Sequence, residues 1–321
     1  MGQIEWRIER FSCHFRIMSN PEGSFAVLKS SVKTLRDQQS ASQSLGFIET
    51  ALPSVRLFWS DGPVARAPLS YTPGIAIIVS GRKIGFFEDQ RIEYGPGQYL
   101  AVGLPLFFEC ETFASSEEPL VGIFLSIEPE ELRNLGEAIA SHDLPKIQAQ
   151  SGLGIEALTL SAPMLDAVTR LACQLKNPVE AEILGPNTLR EVFFHALHDR
   201  HGRVLLGQTQ NNTPEARIVE ILRQLDCAGE TYSGVGSMAA AAGMSPASLH
   251  RHFKAVTGLS PLQYQKRKRL ARAKSLLVFS RMSVAQTARA VGYLSVAQFS
   301  RDFSAYYGTP PSRADQSAYP A

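Results

Sequence analysis

Hydrophobic positions change their spacing along this chain, and each change predicts a different kind of element. From about Phe25 to Ser126 the apolar residues come in short runs punctuated by Gly and Pro: Val55 to Trp59, Ile75 to Val79, Lys83 to Phe87, Gln98 to Val102, Phe107 to Glu111 and Val121 to Ile127. Runs of that length at close intervals predict antiparallel strands rolled into a small barrel or sandwich. Tyr94-Gly95-Pro96-Gly97-Gln98, between two of the runs, predicts a strand-linking turn of the kind found in cupin-like jelly rolls. After Glu128 the period becomes helical. Pro129 to Ala140, Pro163 to Lys176 and about Asn187 to His201 set apolar residues three and four apart, as in Leu165, Val168, Leu171 and Leu175. Gly207 to Pro214, reading Gly-Gln-Thr-Gln-Asn-Asn-Thr-Pro, is polar and turn-forming and predicts an interdomain linker.

Beyond the linker one pattern is written twice. Ala239, Ala242, Gly243, Leu249, Phe253, Gly258 and Pro261 are answered by Ala288, Val291, Gly292, Phe299, Phe303, Gly308 and Pro311. From the Leu or Phe onward the spacings agree, and the second turn is one residue longer than the first. Each copy has helix-turn-helix spacing. Small residues let two helices cross closely, a glycine takes the positive φ that ends the first, and Ser245-Pro246 or Ser295 starts the second. With Leu249 and Phe253 facing inward, the helical period turns Ala247, His250, Arg251 and Lys254 outward. The second copy turns out Ala297, Ser300, Arg301 and Ser304. These eight residues are the candidate DNA-contacting set. Arg251 and Arg301 are the candidate base readers, since a guanidinium can bond guanine bidentately and small neighbours admit close approach.

Residues 215 to 313 resemble the DNA-binding domain of the AraC/XylS family of transcription regulators. The resemblance is carried by Gly243-Met244-Ser245-Pro246 through Leu249, Arg251 and Phe253, by Arg269-Leu270 with Ala273, Leu276 and Leu277, and by Gly292-Tyr293 through Phe299, Arg301 and Phe303, closing on Gly308 and Pro310-Pro311. It implies two helix-turn-helix units joined by a linker helix, with a sensing barrel before them. One departure is that Pro311 is followed by Ser312 and Arg313, where the family usually has an aromatic-Arg pair. The expected fold is α+β: a cupin-like antiparallel β barrel with flanking helices, then an all-α DNA-binding domain. The expected division is an N-terminal arm over 1–24, with Met18 an alternative start, and a sensing domain over 25–206. That domain splits into a barrel over about 25–128 and helices over about 129–206. A linker over 207–214 and a DNA-binding domain over 215–321 complete it.

Charge sharpens this division. The whole chain has 32 basic and 30 acidic residues. Residues 213 to 321 hold 14 Lys and Arg against 6 Asp and Glu, a balance of +8, and the remainder holds 18 against 24, or −6. Only the C-terminal part suits a phosphate partner. The run Lys266-Arg267-Lys268-Arg269 spans every face of the expected linker helix, so it cannot all meet one backbone, and Arg269 is a candidate for internal pairing. At 44% hydrophobic and 19% charged, with no membrane-length apolar run and no secretory apolar stretch at the start, the chain reads as a cytoplasmic globular protein.

Chemistry elsewhere is sparse. Cys13, Cys110, Cys173 and Cys227 lack C-x-x-C spacing, so neither a zinc site nor a disulfide framework is expected. No histidine lies between His14 and His142 to hold a metal in the barrel. Glu191, His195, His198 and His201 share a helical stretch without H-E-x-x-H, and read as a helix end rather than a metal site. Cys110 reads as a small buried hydrophobe before a redox sensor. Of the barrel aromatics, Phe86, Tyr99 and Phe108 are the effector-contact candidates. No catalytic residue and no cofactor is assigned. The expected partners are double-stranded promoter DNA, a small-molecule effector, RNA polymerase and a second copy of the chain, which would dock on helices that serve equally as intramolecular core. Competing readings are a barrel enzyme with an appended DNA-binding module and a constitutive DNA binder with a degenerate sensor.

Overall fold

The computed structural model describes residues 21–39, 44–87, 89–141, 154–198, 203–206, 213–226, 234–278 and 280–314. The first element among the described residues is helix α1 (Pro21–Gln39), followed by strands β1 (Leu45–Glu49), β2 (Val55–Ser60), β3 (Val64–Tyr71), β4 (Gly74–Ser80) and β5 (Arg82–Phe87). Strands β6 (Gln90–Tyr94), β7 (Gln98–Val102), β8 (Leu106–Phe113) and β9 (Leu120–Leu125) follow. Helix α2 (Pro129–Ala140), strand β10 (Ile155–Thr159) and helices α3 (Ala162–Gln174), α4 (Pro178–Ile183), α5 (Gly185–His198) and α6 (Arg203–Leu206) complete the N-terminal part.

Two antiparallel sheets face each other, ordered β1-β2-β9-β4-β7-β10 and β3-β8-β5-β6. Strand alternation divides their side chains between two cores. Phe58, Tyr71, Ala76, Ile78, Phe87, Tyr94, Leu100, Phe108, Cys110 and Phe124 fill the space between the sheets. Leu57, Trp59, Ile75, Ile77, Val79, Tyr99, Ile123 and Leu125 point the other way, onto α1, α3 and α5. This explains why β4 and β9 are buried along their whole length. Each strand is sandwiched between barrel interior and helical layer, and a fully buried Ile or Leu contributes about 1.5–3 kcal/mol. The Gly95-Pro96-Gly97 turn crosses from one sheet to the other: Gln98 N–H donates to Gly95 O at 3.0 Å, and Gly97 sits at φ 78°.

The strand-rich region begins at Leu45, not at Phe25. Phe25, Leu28, Val32 and Leu35 fall three and four residues apart, and this stripe buries α1 against the core containing α3 and β4. Residues 21–24, assigned above to the arm, are its first turn; residues 1–20 lie outside the described residues. The helical region likewise contains a strand, β10, which pairs with β7 from Ile155↔Val102 to Thr159↔Gln98. Of the expected linker, 207–212 lie outside the described residues. Thr213 Oγ1 accepts from Ala216 N–H at 3.1 Å, so the next helix starts directly after it.

The C-terminal part comprises α7 (Pro214–Asp226), α8 (Val235–Ala241), α9 (Pro246–Thr257), α10 (Pro261–Val278), α11 (Val284–Ala290) and α12 (Val296–Tyr307). Helix α12 ends at Gly308, and Pro311–Arg313 form a 3-10 turn.

Candidate nucleic-acid interface

The two repeated units are built by the same backbone bonds. In the first, Gly243 N–H donates to Ala240 O at 3.0 Å and Met244 N–H to Ala239 O at 2.9 Å; in the second, Gly292 N–H donates to Arg289 O and Tyr293 N–H to Ala288 O at those same distances. Gly243 and Gly292 hold φ of 61° and 82°, as an abrupt helix end requires. Ser245 Oγ then accepts from Ser248 N–H at 3.2 Å and Ser295 Oγ from Gln298 N–H at 3.3 Å. Gly258 and Gly308 close α9 and α12 at φ 72°, ψ −3°. The extra residue of the second turn is therefore Leu294, which is fully solvent-exposed.

Leu249, Phe253, Phe299 and Phe303 are all 0% exposed, which fixes the outward faces of α9 and α12. Ala247, His250, Arg251 and Lys254 are exposed on α9, and Ala297 and Arg301 are exposed on α12 with Ser300 and Ser304 half-exposed beside them. All eight residues named from the pattern share the surface of one or other second helix. An interaction that the pattern does not announce orients the first unit's guanidinium. Arg251 Nη2 donates to His252 Nε2 at 3.2 Å, and His252 Nδ1 donates to Glu215 Oε1 at 2.8 Å. Glu215 on α7 thus fixes the imidazole tautomer that accepts from Arg251. Arg217, also on α7, donates to the carbonyls of Ala242 and Gly243 in the turn.

The basic run on α10 divides its contacts. Lys266 Nζ pairs with Asp302 at 2.8 Å, tying the linker helix to α12. Asp302 also accepts from the Tyr293 hydroxyl at 3.2 Å, and burial together with this carboxylate pushes Tyr293 up to about 12. Arg269 lies over the Tyr293 ring at 5.5 Å, the internal contact expected of it. Arg267 bridges the two sides, lying over the Tyr306 ring of α12 at 5.5 Å and donating to Phe107 O on β8 at 3.5 Å, while Tyr264 Oη donates to Pro105 O at 3.0 Å and its ring meets Phe107 edge-on. The linker helix is thereby seated on the barrel. A cleft of about 480 Å³ lies nearby, lined among others by Val64, Arg66, Lys274, Phe303 and Tyr307.

Two family models match the chain. One describes the AraC-type transcriptional regulator N-terminus and covers residues 51–204; the other describes a helix-turn-helix domain and covers residues 238–317. The chain belongs to the AraC/XylS family of transcription regulators. This AraC/XylS regulator is 29% identical over 99 residues to the HTH-type transcriptional regulator GbdR of Pseudomonas aeruginosa, spanning 31% of this chain and 27% of that protein. It is 27% identical over 161 residues to the HTH-type transcriptional regulator MtrA of Neisseria gonorrhoeae, spanning 49% of this chain and 54% of that one. The match thus spans from about a quarter to about half the length of these relatives. ToxT of Vibrio cholerae, solved bound to (E)-4-(8-methylnaphthalen-1-yl)but-3-enoic acid, has the same fold at a TM-score of 0.57 and 12% identity, covering 84% of this chain and 97% of that one.

The other candidates of this AraC/XylS regulator fall as follows. Phe108 lines the barrel interior, stacked on Tyr71 at 4.6 Å. Tyr99 packs on the helical layer instead, and Phe86 lies on the outer face beneath Arg66 at 4.0 Å, so strand parity removes both from the interior. Cys110 is buried facing Tyr71, with Glu109 and Glu111 on the opposite face, and burial pushes its thiol up. On α5, Glu191 takes Arg170 at 2.6 Å and His195 at 3.7 Å, while His198 stacks on Phe194. His201 lies outside the described residues. Among the described residues no helix is long and apolar enough to cross a membrane.

Proposed function

We propose that this AraC/XylS regulator binds promoter DNA by placing α9 and α12 in successive major-groove segments, and that a small molecule sensed in the N-terminal domain controls it. Arg251 and Arg301 read base edges; Ala247, His250, Ala297 and Ser300 admit the approach; Lys254 and Ser304 contact backbone. The observation that carries this reading is the pair of equivalent capped turns presenting outward Arg residues at equal positions on two helices. The excess of +8 on residues 213–321 supplies the long-range attraction to phosphate. A ligand-bound relative fold, together with a barrel seated on the linker helix, supports effector control. Val179, Ile183, Leu184 and Phe194 are exposed apolar residues of the α4–α5 region, and we assign a second copy of the chain to this surface.

The test is selection of bound sequences from a randomised duplex library with the full chain, followed by titration of the recovered duplex against salt. A recovered consensus in two blocks, with affinity falling steeply as salt rises, is expected. Indifference to every duplex at low ionic strength overturns the reading.

A further inference from the structure

Lys83 is a basic side chain buried in the barrel, and among the described residues no carboxylate stands beside it. Alternation along β5 sends Lys83 and Phe87 into the space between the sheets, and Lys83 is 4% exposed. Its ammonium donates to the Tyr71 hydroxyl at 3.0 Å and lies 5.5 and 5.6 Å from the ring centroids of Phe58 and Tyr71. Tyr71 Oη is in turn 3.1 Å from Tyr94 Oη and 3.7 Å from Cys110 Sγ. Burial pushes both phenols and the thiol up, so all three stay neutral, and the same burial pulls Lys83 down. Among the described residues no carboxylate pairs with Lys83. A second cation, Arg56 on β2, lies 5.0 Å over the inward Phe124 ring, and the acid it senses is Glu49, at the exposed end of β1. An ammonium in a dry, aromatic interior is strongly disfavoured without an anion.

We propose that the space between the sheets is the effector site and takes a small carboxylate with an apolar or aromatic body, its oxygens bonded by Lys83 Nζ and the Tyr94 hydroxyl. The inference rests on reading the N-terminal domain as a sensor, and it names the ligand class. The site is closed by the Phe108 ring, stacked on Tyr71 and packed over Gly85, where a Cβ would come within 3.1 Å of it. The ligand's body takes the place of that ring. Phe108 is adjacent to Phe107, whose ring and carbonyl hold Tyr264 and Arg267 of the linker helix. Tyr264 also packs on Phe253 of the first helix-turn-helix unit at 5.4 Å. Displacing Phe108 therefore shifts the strand on which the linker helix rests, and the occupied site is coupled to the spacing of α9 and α12.

The experiment is calorimetric titration and thermal melting of the full chain with acetate, phenylacetate and decanoate, each beside its uncharged amide, for the natural protein, Lys83→Met and Tyr94→Phe. At least one acid is expected to bind and raise Tm while its amide does neither. Lys83→Met, which keeps the stem and removes the charge, is expected to bind that acid at least about tenfold more weakly and, unliganded, to melt no lower. Should Lys83→Met not fold, Tyr94→Phe decides, with a loss of about threefold or more expected. The proposal is overturned if none of the three acids binds, if acid and amide bind alike, or if the variant that decides binds as the natural protein does. Duplex binding measured on the same natural protein separates the failures. Inert acids with intact duplex binding remove this inference alone, whereas no duplex binding removes the regulator reading beneath it.

Discussion

The two helix-turn-helix units share a turn almost bond for bond and differ in what stands behind it. The first packs Leu249 and Phe253 on Ile218, Val219 and Leu222 of α7 and on Tyr264, in a core continuous with the barrel interior. The second closes a small core of its own, Phe299 and Phe303 with Leu270, Ala273, Ala288, Val291 and Tyr293. Their outward faces differ as well: α9 presents His250, Arg251 and Lys254, whereas α12 presents Arg301 among Ala and Ser. Equal geometry thus comes with unequal support: the first unit is the more strongly charged and shares the larger core. The second is held to the linker helix by Leu270 and Ala273 of that core, with the part-exposed Lys266–Asp302 pair beside them.

The largest test of that contrast is in the cores. Phe253→Ala and Phe303→Ala each remove a fully buried ring and should cost about 3–5 kcal/mol. By hydrogen exchange, Phe303→Ala should deprotect α11 and α12 alone, whereas Phe253→Ala should lower protection in the barrel too. Equal, global loss in both would erase the distinction. Next come the readers. Arg251→Ala and Arg301→Ala should each weaken binding to the recovered duplex by about 1–3 kcal/mol and relax preference at separate blocks. Equal losses on matched and mismatched duplexes would make them phosphate contacts.

Smaller effects separate the orienting groups. Glu215→Gln should weaken the hold on His252 and reduce affinity by about 0.5–1 kcal/mol, with no further loss once Arg251 is Ala, a coupling that a double-mutant cycle reads directly. Additive losses would show that Glu215 acts elsewhere. Asp302→Ala should weaken the second block of the footprint and spare the first. The smallest change is expected of Leu294→Ser, within about 0.5 kcal/mol in unfolding free energy, since the side chain touches solvent alone. A drop in duplex affinity with that stability intact would show that Leu294 meets the DNA.

Much of this was legible along the chain because its signals are local. Gly, Ser and Pro punctuate α8–α9 and α11–α12 within a few residues, and apolar runs mark β2, β4, β5, β7, β8 and β9. Strands β1, β3, β6 and β10 escape such a reading for a physical reason. β3 alternates through Arg66, Pro68 and Ser70, and β6 carries Gln90, Arg91 and Glu93, as strands with one open face do. Helix α1 escapes because Ser, Thr and Val, residues that favour helices little, recur along it. The contacts that orient the site are long-range. Glu215 meets His252 across 37 residues and Tyr264 meets Pro105 across 159, and nothing in either neighbourhood names the partner. Lys83 is the intermediate case, for its place in an apolar run is visible while the neutrality of everything around it is not.

The central claim is that two readers act together on one duplex. Footprinting the full chain on its selected site tests it most directly, with Arg301→Ala in parallel. The account predicts two protected major-groove segments about 10–10.5 base pairs apart, the variant losing one and keeping the other. A single short protected segment, unchanged by Arg301→Ala, would contradict it.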